Sequence, residues 1–153
     1  MTSSLTVGSQ APAFTLPSGD GGEISLKDFK GRTVILYFYP RDNTSGCTQE
    51  ACDFRDSAKV LNRKKAIVIG VSADSTESHG KFAAKYSLGF PLASDEKKDV
   101  IKKYGVWKEK SMYGRKFMGI ERTTFVIDGK GIITHIFPKV KVTGHVEEIL
   151  ALL

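Results

Sequence analysis

The sequence predicts an α/β fold with a mixed central sheet flanked by helices. Strand patterns at residues 33–40 and 66–72 are each followed by a segment with helical spacing of apolar residues. A hairpin pattern over residues 123–138 and a terminal helical pattern complete the chain. Alternating strands and helices that end in a hairpin and a last helix are typical of a sheet with parallel and antiparallel strands.

The first strand and helix carry both cysteines of the chain close to their junction. Residues 33–40, TVILYFYP, are a β-branched and aromatic run that ends at proline, as buried strands do. The run NRKK at residues 62–65, with three basic residues, is suited to a helix end. Between residues 47 and 65 the apolar positions with helical spacing are Ala51, Phe54, Ala58 and Leu61.

The alternation continues through the rest of the chain. AIVIGVS at residues 66–72 predicts a second buried strand, and residues 73–88 predict a helix with Asp and Ser capping candidates. We expect a short strand in FPLASD, a helix closed by glycine in EKKDVIKKYG and a terminal helix in TGHVEEILALL. TTFVID and GIITHIFP predict a hairpin around Gly129, Lys130 and Gly131.

Residues 105–121, GVWKEKSMYGRKFMGIE, follow neither the helical nor the strand period. They predict a long loop, and long loops in compact domains are often functional. An equally good interpretation is that the large side chains of this loop fill the core. Those side chains are Trp107, Met112, Tyr113, Phe117 and Met118.

Length and composition indicate an ordinary globular protein. The chain has 153 residues, 41% hydrophobic and 26% charged, which is enough to bury a core without metal or disulfides. The net charge of +6 comes from dispersed Lys and Arg, which favours a solvated surface over a nucleic-acid partner. The N-terminal sequence lacks a signal-peptide pattern and no apolar run is long enough to cross a membrane, so we expect a cytoplasmic protein.

Two cysteines in a reducing compartment favour a catalytic or redox-sensing pair over a structural disulfide. Cys47 should lie in the first turn of its helix, where unpaired N–H groups and the helix dipole stabilise a thiolate. Thr44 is near enough to turn its hydroxyl toward the sulfur, and Pro40 could shield it from water. Thr44 as a helix cap and Pro40 as a strand terminator are compatible structural roles.

The segment PRDNTSGC, residues 40–47, resembles the peroxiredoxins in its spacing of proline, threonine and cysteine. The longer stretch YFYPRDNTSGCTQEACDFRD is similar to the Q-type branch, also called bacterioferritin comigratory protein. Ser45 stands where proline is frequent in that branch. Similarity extends over essentially the whole chain, through GVSADSTESHGKFAAKY, YGRKFMGIERTTFVID and FPKVKVTGHVEEIL.

This resemblance implies a single thioredoxin-like domain over residues 1–153 with an N-terminal extension. It implies reduction of hydrogen peroxide and organic hydroperoxides without a cofactor or metal. Cys47 would be the peroxidatic cysteine, with Pro40, Thr44 and Arg122 completing the site. Cys52 occupies the place of a resolving cysteine, which would form an intramolecular disulfide with Cys47. Thioredoxin or a similar dithiol would reduce the enzyme, which would be a monomer.

Arg122 also has a physical reason to act at the site. It precedes a predicted strand, so a rigid element can hold it, and its permanent charge can stabilise a thiolate and the developing charge on peroxide oxygens. Without the resemblance, an arginine in this position would be interpreted as a salt-bridge residue, paired with Glu121 or Glu50.

Other functions are less consistent with the residues. His79, His135 and His145 are dispersed, and we expect surface or loop positions for them rather than a zinc site. A thioredoxin-type reductase would show Cys-x-x-Cys, whereas four residues separate these cysteines. A non-enzymatic thiol redox sensor is the best alternative from another class. A basic nucleic-acid-binding module would need a motif that this chain lacks.

Overall fold

A computed structural model describes residues 5–153. Their elements in chain order are β1 (Thr15–Pro17), β2 (Glu23–Ser25), a 3-10 helix (Leu26–Phe29), β3 (Thr33–Phe38), α1 (Ser45–Asp56), α2 (Ala58–Arg63), β4 (Ala66–Ser72), α3 (Thr76–Tyr86), β5 (Leu92–Ser94), α4 (Asp99–Lys103), β6 (Trp107–Met112), β7 (Arg115–Ile120), β8 (Thr123–Ile127), β9 (Ile133–Phe137) and α5 (His145–Leu152).

A five-stranded mixed sheet in the order β5-β4-β3-β8-β9 forms the centre of the molecule. β3 pairs in parallel with β4, with Val34 opposite Ile67, and β4 pairs in parallel with β5. β8 is antiparallel to both β3 and β9. The predicted α/β class, the mixed sheet and the 123–138 hairpin are therefore confirmed.

Two layers of apolar side chains cover the two faces of this sheet. Successive side chains of β3 point to opposite faces, so Leu36 joins one cluster with Ile101 while Ile35 joins another with Phe54. The second cluster also contains Cys47 and residues of α3 and α5. The cysteine helix is thus held on the sheet by its apolar face.

The N-terminal extension consists of the antiparallel pair β1–β2 and the 3-10 helix. The helix predicted over residues 47–65 is divided at Ser57, whose φ of −97° and ψ of 7° end α1 and begin α2. The expected cap of α3 is present, since the Ser75 hydroxyl accepts from Ser78 N at 3.1 Å. Within residues 5–153, no helix is long and apolar enough to cross a membrane.

The prediction of a loop over residues 105–121 is wrong, because this segment is the β6–β7 hairpin. Met112 pairs with Arg115 across a two-residue turn. Tyr113 and Gly114 have φ of 53° and 76°, as a primed hairpin turn requires. Most side chains on both faces of the hairpin are exposed, so no alternation of polarity marks the strands. The core-filling interpretation holds for Trp107, whereas the other four large side chains are exposed.

Candidate active site

The site is built where β3 ends and α1 begins. Residues 39–44 connect the two elements, and Thr44 occupies the N-cap position with extended φ and ψ of −94° and 159°. Its carbonyl accepts from Thr48 N at 2.8 Å, which starts the helical ladder. Cys47 is therefore the third residue of α1, as predicted, and its side chain is 1% exposed.

Arg122 reaches this cysteine from the neighbouring strand. β3 pairs with β8 through Phe38 and Thr123, which places the residue before β8 beside the end of β3. The Arg122 Nη2 group donates to Cys47 Sγ at 3.2 Å. Its Nη1 group donates to Glu50 Oε1 at 2.8 Å. The salt bridge with Glu50 is confirmed, and the same guanidinium also contacts the thiol; the catalytic role of Arg122 stays a prediction.

Glu50 is a part of the site that the sequence suggested only as a salt-bridge partner. It lies three residues after Cys47 on the same side of α1 and is fully buried. Burial raises the pKa of Glu50 to about 7, although the Arg122 charge and hydrogen bond act to lower it. Its Oε2 atom has no hydrogen-bond partner among the residues described. Near neutral pH the Glu50 carboxyl group is therefore present in both its protonated and its ionised form, beside the charged arginine.

Arg122 is held fully charged by the groups around it. Burial acts to lower its pKa, but Glu50 and Cys47 outweigh burial and raise that pKa above the ordinary value. The side chain is 16% exposed, which limits screening by water. A fixed positive charge thus lies in hydrogen-bond contact with the sulfur.

Thr44 and Pro40 lie in the loop that leads into α1, and the Thr44 hydroxyl is not turned toward the Cys47 sulfur. The Thr44 hydroxyl donates to the Arg41 carbonyl at 3.1 Å, so in this arrangement it points neither at the sulfur nor at a capped N–H. A hydroxyl can rotate to a new acceptor at little cost. Pro40 is exposed and follows the end of β3, consistent with a strand terminator.

Cys52 lies on the same helix in a half-buried position, and both cysteines are free. α1 is continuous from Ser45 to Asp56, so the two residues are separated by five helical positions. An intact helix keeps their side chains apart.

Aromatic rings form an apolar wall behind Cys47. Tyr37 stacks on Tyr39 and on Phe54 with centroid distances of 5.3 and 4.9 Å. Burial, with smaller contributions from Glu50 and Cys47, raises the pKa of Tyr37 well above its usual range. Tyr37 therefore stays a neutral phenol. These buried rings exclude water and lower the local dielectric constant, which strengthens the attraction between Arg122 and a thiolate.

The expectation of surface or loop positions for the histidines is wrong for His79 and His145, which are 0% and 4% exposed. His145 Nε2 lies 2.8 Å from the Thr124 hydroxyl, and burial lowers the pKa of this ring. His135 is partly buried on β9. Both buried rings find hydrogen-bond partners that lie far away in the sequence, which spacing alone does not reveal.

His79 anchors the loop that leads to Cys47. Its Nδ1 lies 2.6 Å from Asp42 Oδ2 and its Nε2 lies 3.0 Å from the Ala93 carbonyl. The ring is thus held between the Asp42 carboxylate on one side and the backbone carbonyl of β5 on the other. Asp42 also accepts from the hydroxyls of Tyr39 at 2.5 Å and Ser78 at 2.8 Å.

A second carboxylate completes this network. Asp74 Oδ2 accepts from Asp42 N at 2.8 Å and from the Ser72 hydroxyl at 2.6 Å. Ligand atoms of Asp42, Asp74 and His79 all lie within 4.8 Å of one another, the arrangement a metal ion would need. These atoms already bond to each other or to neighbouring donors. The cluster therefore fits a hydrogen-bond network that fixes the loop better than it fits a metal centre.

A comparison with protein families matches residues 7–136 to the AhpC/TSA family. Among similar proteins, peroxiredoxin Bcp of Bacillus subtilis is 46% identical over 146 residues, covering 95% of this chain and 93% of the relative. Peroxiredoxin Bcp of Escherichia coli is 42% identical over 146 residues, covering 95% and 94%.

Solved structures with the same fold include PrxQ of Xylella fastidiosa, in a mutant form. It superposes with a TM-score of 0.93 at 36% identity and covers 98% of this chain and 96% of that chain. The bacterioferritin comigratory protein of Xanthomonas campestris, studied for its alkyl peroxide reduction activity, gives a TM-score of 0.87 at 38% identity. That match covers 91% of this chain and 88% of the other.

Proposed function

Since this chain belongs to the AhpC/TSA family and is a peroxiredoxin, a thiol-dependent peroxidase, we propose that Cys47 is its reacting group. The observation that carries the proposal is the 3.2 Å contact from the Arg122 guanidinium to Cys47 Sγ. A permanent positive charge and the first turn of α1 both favour the thiolate, which is the nucleophilic form.

The first step is attack of the Cys47 thiolate on one peroxide oxygen. An S–O bond forms, the O–O bond breaks, and the leaving oxygen takes up a proton to become water or an alcohol. Cys47 is thereby oxidised to a sulfenic acid and the hydroperoxide is reduced. The Arg122 guanidinium can stabilise the negative charge as it moves from sulfur to the leaving oxygen.

Thr44 and Pro40 support this step from the loop. Rotation of the Thr44 hydroxyl away from the Arg41 carbonyl would let it hold a peroxide oxygen in line with the sulfur. Pro40 follows the end of β3 and has no N–H group to compete for the substrate. These assignments complete a site of Pro40, Thr44, Cys47 and Arg122.

Cys52 resolves the sulfenic acid in our proposal. Its sulfur attacks Cys47 sulfur, the S–O bond breaks, and water leaves with formation of an intramolecular disulfide. A dithiol such as thioredoxin then reduces this disulfide and is itself oxidised. The chain would work as an atypical 2-Cys enzyme, a monomer with one domain, in the reducing environment of the cytoplasm.

Both hydrogen peroxide and organic hydroperoxides are proposed substrates. The Xanthomonas campestris relative is described by its alkyl peroxide reduction activity, which supports the second class. Cys47 is buried and the Arg122 guanidinium in contact with it is 16% exposed, so in our proposal the peroxide reaches the sulfur beside this guanidinium. The described site needs no metal or cofactor for these steps, because the thiolate supplies both electrons.

Peroxide consumption tests the proposal, first with thioredoxin and then with glutathione as the sole reductant. We expect continuous turnover with thioredoxin, none by Cys47→Ser, and one equivalent consumed by Cys52→Ser. Wild-type activity in Cys47→Ser would overturn the assignment of the reacting group. A single equivalent consumed by the wild type, with no turnover on any dithiol, would indicate a redox sensor instead.

A further inference from the structure

One face of the β6–β7 hairpin carries basic and apolar side chains without an acidic residue. Side chains alternate between the two faces of a strand pair, so the cross-strand register assigns each residue to a face. We call this surface the basic hairpin face. Its members are Lys108, Lys110, Met112, Arg115 and Phe117.

Neighbouring contacts confirm which residues share this face. A Cβ atom placed on Gly119 would lie 3.3 Å from Lys110 and 3.6 Å from Phe117, so these three positions are together. Glu109 and Lys116 form their ion pair at 3.8 Å on the opposite face. The single acidic residue of the hairpin therefore lies on the opposite face, where it is paired with Lys116.

The basic hairpin face is close to the reacting cysteine. β7 ends at Ile120 and the chain continues directly to Arg122, the residue that contacts Cys47. Lys110 is half-buried, and burial together with the Arg122 charge lowers the pKa of its amine. This face thus extends outward from the edge of the site.

Large apolar side chains are exposed on this surface. Met112 is 57% exposed and Phe117 is 43% exposed, and Tyr113 at the turn is 97% exposed. Positions 108 to 112 span four residues of extended strand, about 13 Å. Aromatic residues, Met and Arg are enriched at protein–protein interfaces, and this face carries Phe117, Met112 and Arg115.

We propose that the basic hairpin face docks the protein dithiol that reduces the oxidised enzyme, through an acidic and partly apolar surface around the partner's reactive thiol. Complementary charge favours this partner, because Lys108 and Arg115 are exposed cations and the hairpin places no carboxylate on this face. The inference rests on the proposed function, since it needs a Cys47–Cys52 disulfide.

Docking would bring the partner's thiolate to that disulfide. The thiolate attacks one sulfur, forming a mixed disulfide and releasing the other cysteine as a thiol. The partner's second thiol then displaces the enzyme, which leaves both enzyme cysteines reduced and the partner oxidised to a disulfide. Two thiol protons and two electrons pass from partner to enzyme.

Charge reversal on the two faces of the hairpin tests the proposal. Lys108→Glu changes the basic hairpin face, and Lys116→Glu makes the same change on the opposite face as the matched control. With thioredoxin as the reductant, Lys108→Glu should lower kcat/KM for thioredoxin on the order of tenfold at low salt. The deficit should shrink toward physiological ionic strength because salt screens exposed charges. Lys116→Glu should change it less than about twofold.

The apolar part has its own matched pair. Phe117→Ser should raise KM for thioredoxin, whereas Met118→Ser on the opposite face should not. All four variants should keep the wild-type single-turnover rate with hydrogen peroxide, which also shows that they fold.

Equal losses on both faces would overturn the proposal. So would a loss confined to single-turnover reaction with an anionic organic hydroperoxide, which would make the face a substrate site. A wild-type dimer that Lys108→Glu dissociates, seen by sedimentation velocity, would assign the face to a second copy instead.

Dithiothreitol separates this proposal from the proposed function, since it should recycle every variant. Failure of dithiothreitol with the wild type would refute the disulfide cycle itself.

Discussion

Oxidation of Cys47 and Cys52 to a disulfide should unwind the first half of α1. Five helical positions correspond to roughly 7.5 Å of rise and about 140° of rotation, which separates the two Cα atoms by about 8.6 Å. A disulfide tolerates up to about 7 Å between Cα atoms. α1 is continuous through both cysteines in the structure, so the reduced helix and the disulfide exclude each other.

The size of the effect follows from the hydrogen bonds that unwinding breaks. Opening this segment removes two or three helical hydrogen bonds, each contributing a net ~1 kcal/mol. A loss of about 2 to 3 kcal/mol speeds amide exchange by about 30- to 150-fold. The increase should be confined to residues 47–54, because Phe54 is anchored by its stack on Tyr37 at 4.9 Å.

Hydrogen exchange with mass spectrometry on reduced and oxidised protein measures this change. Cys52→Ser treated with one equivalent of peroxide is the control, because it can form the sulfenic acid without the disulfide. This control should keep nearly the protection of the reduced enzyme and should lose recycling by thioredoxin. Unchanged exchange on oxidation of the wild type, or full recycling by Cys52→Ser, would show that no Cys47–Cys52 disulfide opens α1.

Three further predictions concern the groups around the thiol. Arg122→Met should lower the peroxide rate on the order of 10²-fold or more and move thiolate formation to higher pH, as stopped-flow rates against pH can show; an unchanged rate and titration would reduce Arg122 to a salt-bridge residue. Burial raises the pKa of Glu50 from 4.5 to about 7, so between these pH values the folded state holds a proton on Glu50 that the unfolded state has lost. The contribution of this protonation to the free energy of unfolding is complete below about pH 4.5 and is lost as pH rises through 7. Glu50→Gln should therefore flatten the fall in Tm between pH 5 and 8, and an unaltered slope would contradict the assigned pKa. Asp42→Asn should lower the ratio of peroxide reactivity to iodoacetamide alkylation at Cys47 on the order of tenfold, since it loosens the loop. Asp95→Asn, which alters a buried carboxylate bonded to Ile101 N at 2.7 Å, should lose stability at an unchanged ratio, and an equal drop in both variants would make Asp42 a merely structural residue.

The central sheet and its helices could be predicted because their patterns are strong and local. TVILYFYP and AIVIGVS are buried on both faces of the sheet, and continuous apolar runs of this kind are typical of central parallel strands. The β6–β7 hairpin could not be predicted in the same way, because its mostly exposed side chains leave no periodic signal. The Tyr113–Gly114 turn was its one local indication.

The site was predictable where chemistry follows from position along the chain. The position of Cys47 in the first turn of α1 could be predicted because the strand, the loop and the helix around it each have a local sequence pattern. The Asp42–His79 pair joins residues 37 positions apart. They meet because the loop after β3 and the helix after β4 both start at the same edge of the sheet, which only the strand order reveals. The burial of Glu50 likewise depends on tertiary packing.

Single-turnover oxidation of Cys52→Ser shows which sulfur reacts with peroxide. One equivalent of hydrogen peroxide is added to the reduced variant, dimedone traps any sulfenic acid, and peptide mass spectrometry locates the adduct. We expect one dimedone adduct per chain, on Cys47, formed at the rate at which peroxide disappears. Peroxide consumption that leaves Cys47 unmodified, or that continues at the same rate in Cys47→Ser, would contradict this expectation.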